Sequence, residues 1–131
     1  MKTRYLLCSL FCLVASGTAN ADGPPEYFRE TLPPAVLGPL LEGYGALSNE
    51  SAAIAPKMRE LIALAVAAQI PCAYCVHAHS SNAKAHGASE EEIREAVATA
   101  GYVRLFSTAL HGNGYDLDAF VAEHDDRVAK R

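Results

Sequence analysis

Residues 60–87 read ELIALAVAAQIPCAYCVHAHSSNAKAHG. The stretch holds Cys72 and Cys75, then His77, His79 and His86, and it begins with Glu60, twelve residues before the first cysteine. Alanine and leucine dominate its first part, with no strand-like alternation, so it reads as helix. Ile70-Pro71 ends that helix, and Pro71 opens a second that Gly87 stops as a C-terminal cap. The pattern predicts helices over 56–70 and 72–86 joined by a tight turn.

A helix advances ~100° per residue, which sorts the side chains of the second helix. With Cys72 at zero, Cys75 lies about 60° to one side and His79 about 20° to the same side, so the three share one narrow face. Cys75 and His79, four apart, are within side-chain contact range. Tyr74 and His77 point away. His86 returns near the same face about three turns (~15 Å) beyond Cys75. His77 and His86 therefore read as surface residues. His111, in a turn, and His124, in a last helix, have no legible partner.

Three features acidify a thiol here: the helix N-terminus under Cys72, the imidazole of His79 and the neighbouring thiol. A cysteine oxidised to sulfenic acid has a second cysteine beside it to close a disulfide. Metal binding is the rival reading. Cys72, Cys75 and His79 offer three zinc ligands, and a structural site wants a fourth. His111, His124 and Glu60 are the available donors, and nothing in the sequence positions them. Glu60 itself has two readings: a solvated acid favoured by the helix dipole, or a member of the site. A thioredoxin-like use of Cys-x-x-Cys needs a βαβ setting, which this helical chain does not offer.

Outward from the centre, the pattern stays helical. Leu61, Ile62, Leu64, Ala65, Val66 and Ala68 make the 56–70 helix apolar on most sides, hence central. Before it, Val36, Leu37, Leu40, Leu41 and Tyr44 form a stripe that Gly38 and Pro39 make short or kinked. Residues 22–34 are a proline-rich lead with Tyr27 and Phe28 as anchors. Ser48-Asn49-Glu50-Ser51 is a polar loop, whose glycosylation pattern is common by chance. After Gly87, Ser89 and Glu92 form a capping box opening a helix over about 90–108. Its inward stripe is Ile93, Ala96, Val97, Ala100, Val103 and Leu105. Gly112-Asn113-Gly114 breaks the chain, and Asp116 caps a last helix with Phe120, Val121 and Val128 inward. That tail is polar enough to fray or to lie on a neighbouring subunit. The expectation is an all-α fold in one domain, residues 22–131.

The first 21 residues stand apart. A basic start with Lys2 and Arg4, an apolar run from Tyr5 to Ala15 and the small-x-small Ala19-Asn20-Ala21 have the order of a secretory signal peptide. The run is short of the ~20 residues a spanning helix needs. Cleavage after Ala21 removes two cations and no acid, so the net charge of −4 becomes −6. Cys8 and Cys12 go with it. The mature chain is then exported, with a periplasmic location as the expectation. An acidic domain without a basic cluster excludes nucleic acid as a partner and gives no reason for adhesion to a membrane. Two cysteines three apart close too small a loop to constrain the unfolded chain much, so the pair reads as chemistry rather than framework.

Glu60, eleven residues, Cys72-Ala73-Tyr74-Cys75, three residues and His79 resemble the core motif of alkylhydroperoxidase D, in the carboxymuconolactone decarboxylase-like superfamily. Gly87 and Ser89-Glu90-Glu91-Glu92-Ile93 are similar to the start of that family's next helix. The match covers about residues 56–100. The resemblance implies an all-helical fold with Glu60, Cys75 and His79 grouped and no cofactor. It implies Cys75 as the peroxidatic thiol, Cys72 as the resolving thiol and the partner in a redox disulfide, and Glu60 with His79 as the acid–base relay. The helix terminus alone favours Cys72 as the more acidic thiol, whereas Cys75 is the one in reach of His79. Tyr74 stands where the best-studied pattern has a histidine. The chain holds one copy of the motif, and single-copy members assemble, so a homo-oligomer is expected.

The function expected is an exported thiol peroxidase that takes a hydroperoxide as substrate and an unidentified dithiol or protein as reductant. The alternatives are a decarboxylase or lactone-type enzyme of the same superfamily, and a non-enzymatic helical metal- or thiol-binding module.

Overall fold

A computed structural model describes residues 23–49 and 51–131. The expected signal peptide lies outside the described residues. All described secondary structure is helical, in six helices. The chain divides into two compact units, Met1–Gly45 and Ala46–Arg131.

In the first unit, α1 spans Glu26–Thr31 and α2 spans Pro34–Ser48, running past the unit boundary. The proline-rich lead thus holds a short helix, with Phe28 half-buried and Tyr27 exposed and stacked obliquely on it at 4.7 Å. Tyr27 is not the anchor the sequence pattern predicts. Helix α2 is not shortened at Pro39, which sits inside its fifteen residues. Proline leaves the carbonyl four residues back without its donor. Ala35 and Pro39 are both exposed, so water can take that place.

The second unit is built on α3, Pro56–Gln69, with α4, Ala73–Ala85, and α5, Glu90–Gly112, packed against it. Pro56 opens α3, and Ile70 closes it with an N–H donated to the carbonyl of Val66 at 3.2 Å. Helix α4 ends at His86 and Gly87, whose φ of +82° is the left-handed conformation glycine adopts freely. The capping box at α5 is present in both directions, Glu92 N–H to Ser89 Oγ and Ser89 N–H to Glu92 Oε2. Helix α5 extends four residues beyond 108, so His111 lies in its last turn rather than in a loop.

Leu61, Leu64 and Ala67 of α3, Ala83 of α4 and Ala100 of α5 form the buried core of this unit. Two polar fastenings set α3 against α5. Lys57 Nζ donates to Glu92 Oε1 at 2.7 Å near their N-termini. Arg104 Nε donates to Gln69 Oε1 at 2.8 Å near the C-terminus of α3. The fastenings are twelve residues apart on each helix, ~18 Å of rise on both. Helices α3 and α5 therefore run parallel and in register.

Only the first half of α5 follows its expected stripe. Ile93 and Ala96 are half-buried and Ala100 is buried, while Val97, Val103 and Leu105 are exposed. Helix α6, Leu117–Ala129, is capped by Asp116 as expected, yet buries none of its residues. Phe120, Val121 and Val128 are exposed, because no described helix of the chain covers that face. Among the described residues no helix is long and apolar enough to cross a membrane.

Candidate active site

The buried positions of α3 are Glu60, Leu61, Leu64 and Ala67, which repeat at helical spacing on one face. Glu60 is therefore part of the inward stripe rather than a solvated acid, and only 6% of it is exposed. A carboxylate so placed needs a polar partner. His79 supplies it from α4, with Nδ1 2.8 Å from Glu60 Oε2. The imidazole is one-fifth exposed, so one edge of the ring meets the carboxylate while part of it still reaches solvent. When the carboxylate is ionised, Nδ1–H donates to it, and the neutral ring then carries its lone pair on Nε2. Glu60 thus selects the tautomer and leaves Nε2 as the nitrogen able to take a proton.

Cys72 is the N-cap of α4, one residue outside the helix, with extended backbone (φ −95°, ψ 97°). Its Sγ accepts the Cys75 N–H at 3.2 Å, the role a serine or aspartate oxygen ordinarily plays. Its own N–H donates back to Ala67 O of α3 at 3.2 Å. Cys75 lies in the first turn of α4, four residues before His79 on the same face. The two cysteines, with Cα atoms 5.3 Å apart, are joined as a disulfide. The α3–α4 contact thus holds a buried carboxylate hydrogen-bonded to a half-buried imidazole, and the start of α4 holds a cysteine pair at disulfide distance.

The other histidines stay apart from this group. His77 and His86 are exposed, as their spacing predicts, and His124 stacks on Phe120 at 5.7 Å. Tyr74, between the cysteines, is 89% exposed. It projects to solvent and has no place in the Glu60–His79 contact. Among the described residues no group of three or more His, Cys, Asp and Glu converges as a metal site would. The hold of Arg104 on Gln69 was not legible in sequence, because a lone arginine at the end of an apolar stripe has no distinguishing spacing.

The family model of the carboxymuconolactone decarboxylase family matches residues 37–115, more than half of the chain. The chain belongs to the carboxymuconolactone decarboxylase family. This family includes alkylhydroperoxidase D-type peroxidases as well as decarboxylases, and this carboxymuconolactone decarboxylase family member carries the cysteine pair within the matched span. The chain is also 34% identical over 61 residues, 47% of its length, to "Uncharacterized protein 4 in cox locus" of Paracoccus denitrificans. It spans about half the length of that relative, 55%. No solved structure matches the chain.

Proposed function

We propose that the protein is a thiol peroxidase working through a Cys72–Cys75 dithiol/disulfide cycle. The observation that carries this reading is the buried Glu60–His79 hydrogen bond, four residues along α4 from Cys75. Cys75 loses its proton to His79 Nε2, and Glu60 stabilises the imidazolium. The thiolate attacks one oxygen of a hydroperoxide, the O–O bond breaks, and the leaving alkoxide takes the proton back as the alcohol. Cys75 is then a sulfenic acid. The Cys72 thiolate attacks that sulfur, the S–O bond breaks and water leaves with the remaining proton. Two thiols and one hydroperoxide have become one disulfide, one alcohol and one water. An external dithiol or a protein carrying one returns two electrons and two protons.

The cysteine pair at disulfide distance favours this chemistry over a decarboxylase, which has no use for a second thiol. The proposal extends to an exported, periplasmic protein, because the N-terminal order of residues is that of a signal peptide. It extends to a homo-oligomer, because apolar side chains of α3, α5 and α6 are left in solvent. The deciding experiment follows an organic hydroperoxide and dithiothreitol with the mature protein. Catalytic consumption is expected, and Cys75→Ser should abolish it. Undiminished turnover in that variant overturns the reading.

A further inference from the structure

Cys72 hangs between two helices. Its sulfur caps α4, but its N–H is bonded to Ala67 O in the last turn of α3. The position of one sulfur relative to the other therefore depends on how firmly that last turn is held. A helix end has unpaired carbonyls and frays. Here Arg104 of α5 grips it at two points, with Nε donating to Gln69 Oε1 at 2.8 Å and Nη2 donating to Gln69 O at 3.1 Å. Gln69 is the last residue of α3, three before Cys72. The planar guanidinium suits this two-point contact, since its donors are fixed in a fork.

We propose that Arg104 is a positioning residue for the Cys72–Cys75 pair: by fixing the last turn of α3 it holds Cys72 at bonding distance from Cys75. With the grip lost, the turn explores more conformations and the two sulfurs meet less often. Forming the disulfide then costs more chain entropy, and the couple shifts toward the dithiol. The inference rests on the cysteine pair being a working redox couple, but its test contains no hydroperoxide. Failure of the peroxidase reading and failure of this one are thus separable.

The test equilibrates the mature protein with glutathione and its disulfide at several ratios, and the thiol fraction is read by alkylation and mass. The reaction is protein disulfide plus two glutathione giving protein dithiol plus one glutathione disulfide. Arg104→Met is expected to move the equilibrium constant about threefold to tenfold toward the dithiol, the scale that follows from losing a two-point hydrogen bond. Arg104→Lys, which keeps a charge without the fork, and Gln69→Leu, which keeps only the carbonyl, should fall between. Lys57→Met removes the fastening at the far end of α3. It should lower thermal stability and leave the equilibrium at the wild-type value. A folded Arg104→Met with the wild-type constant overturns the proposal, as does a Lys57→Met shift of equal size. If Arg104→Met does not fold, the same comparison is made with Arg104→Lys and Gln69→Leu, and wild-type values in both overturn it.

Discussion

His79 Nδ1 and Glu60 Oε2 meet at 2.8 Å between α4 and α3, and Glu60 is the one charged side chain buried among the described residues. An ionisable group is rarely kept inside a small helical unit for stability, since desolvation offsets much of what the pairing gains. The placement therefore directs attention to proton transfer. Glu60→Gln keeps the shape of the side chain and its bond to the ring but removes the charge that stabilises an imidazolium. Hydroperoxide turnover is expected to fall by about two orders of magnitude or more, the range general acid–base groups supply, with the helical circular dichroism unchanged. Glu60→Ala should in addition lower stability by ~1–3 kcal/mol, because the Nδ1 of His79 is left without its partner. A Glu60→Gln variant with full turnover would remove the carboxylate from the chemistry.

The two thiols are asymmetric, and the asymmetry can be read in a single turnover. Cys72 faces the positive end of the α4 dipole, and its Sγ accepts an amide N–H. Cys75 lies one turn before His79. If reach of the base decides, Cys72→Ser treated with one equivalent of hydroperoxide should gain one oxygen, trapped by dimedone on Cys75. Cys75→Ser should stay unmodified on the same timescale. The opposite pattern would make the N-cap sulfur the peroxidatic one, and the roles of the two cysteines would exchange.

Much of this was legible in the residues. Cys75 and His79 fall on one helical face by spacing alone, whereas Cys72, expected on that face, stands one residue outside α4 with extended backbone. Gly87, Ser89 and Glu92 mark the next helix boundary by well-defined local chemistry. Local signals of this kind survive because they are satisfied within one turn of chain. Glu60 was legible only in part. Its position early in α3 allows either a solvated or a buried carboxylate, and the choice is made by His79, nineteen residues away. The inward stripes of α5 and α6 failed for a related reason. Val103, Leu105, Phe120 and Val128 have the right periodicity, but periodicity gives a face and not what lies opposite it. The two ties between α3 and α5 each join residues 35 apart, and no local pattern announces them.

Acid should loosen the unit through Glu92. Its carboxyl is held below the ordinary value of 4.5, first by the hydrogen bond from Lys57 and then by the backbone N–H of Ser89. A carboxyl lowered in the folded state contributes stability that is fully present above its unfolded pKa and is lost as pH falls through the folded one. The window therefore opens near pH 4.5 and extends downward. The difference in melting temperature between wild type and Glu92→Gln should be constant at neutral pH and shrink across that window. Glu90, lowered by its bond to Lys84, should add an acid loss of the same sign to the wild type and the variant alike, so it cancels in the difference. A difference that stays constant into acid would mean that Glu92 stabilises the unit without its charge.

The uncovered side of α3 leads to the last expectation. Met58, Ile62 and Val66 recur every fourth residue and are each about half exposed, on the side of the helix away from Glu60. Val66 shares a cleft with Val103 of α5, and Phe106 continues the apolar surface one turn further. Contiguous exposed apolar surface of this kind marks an interaction site, and for a protein proposed to assemble with itself the occupant is a second copy. Val66→Asp and Val103→Asp, singly and together, place a carboxylate where association would remove it from water. Light scattering should show the wild type as an oligomer and the double variant as a monomer. The Cys72–Cys75 disulfide should still form in that monomer, because every contact that positions it, from Ala67 to Arg104, lies within one chain. A double variant with wild-type mass would place the contact between copies elsewhere, with the outer face of α6 the next to be tested.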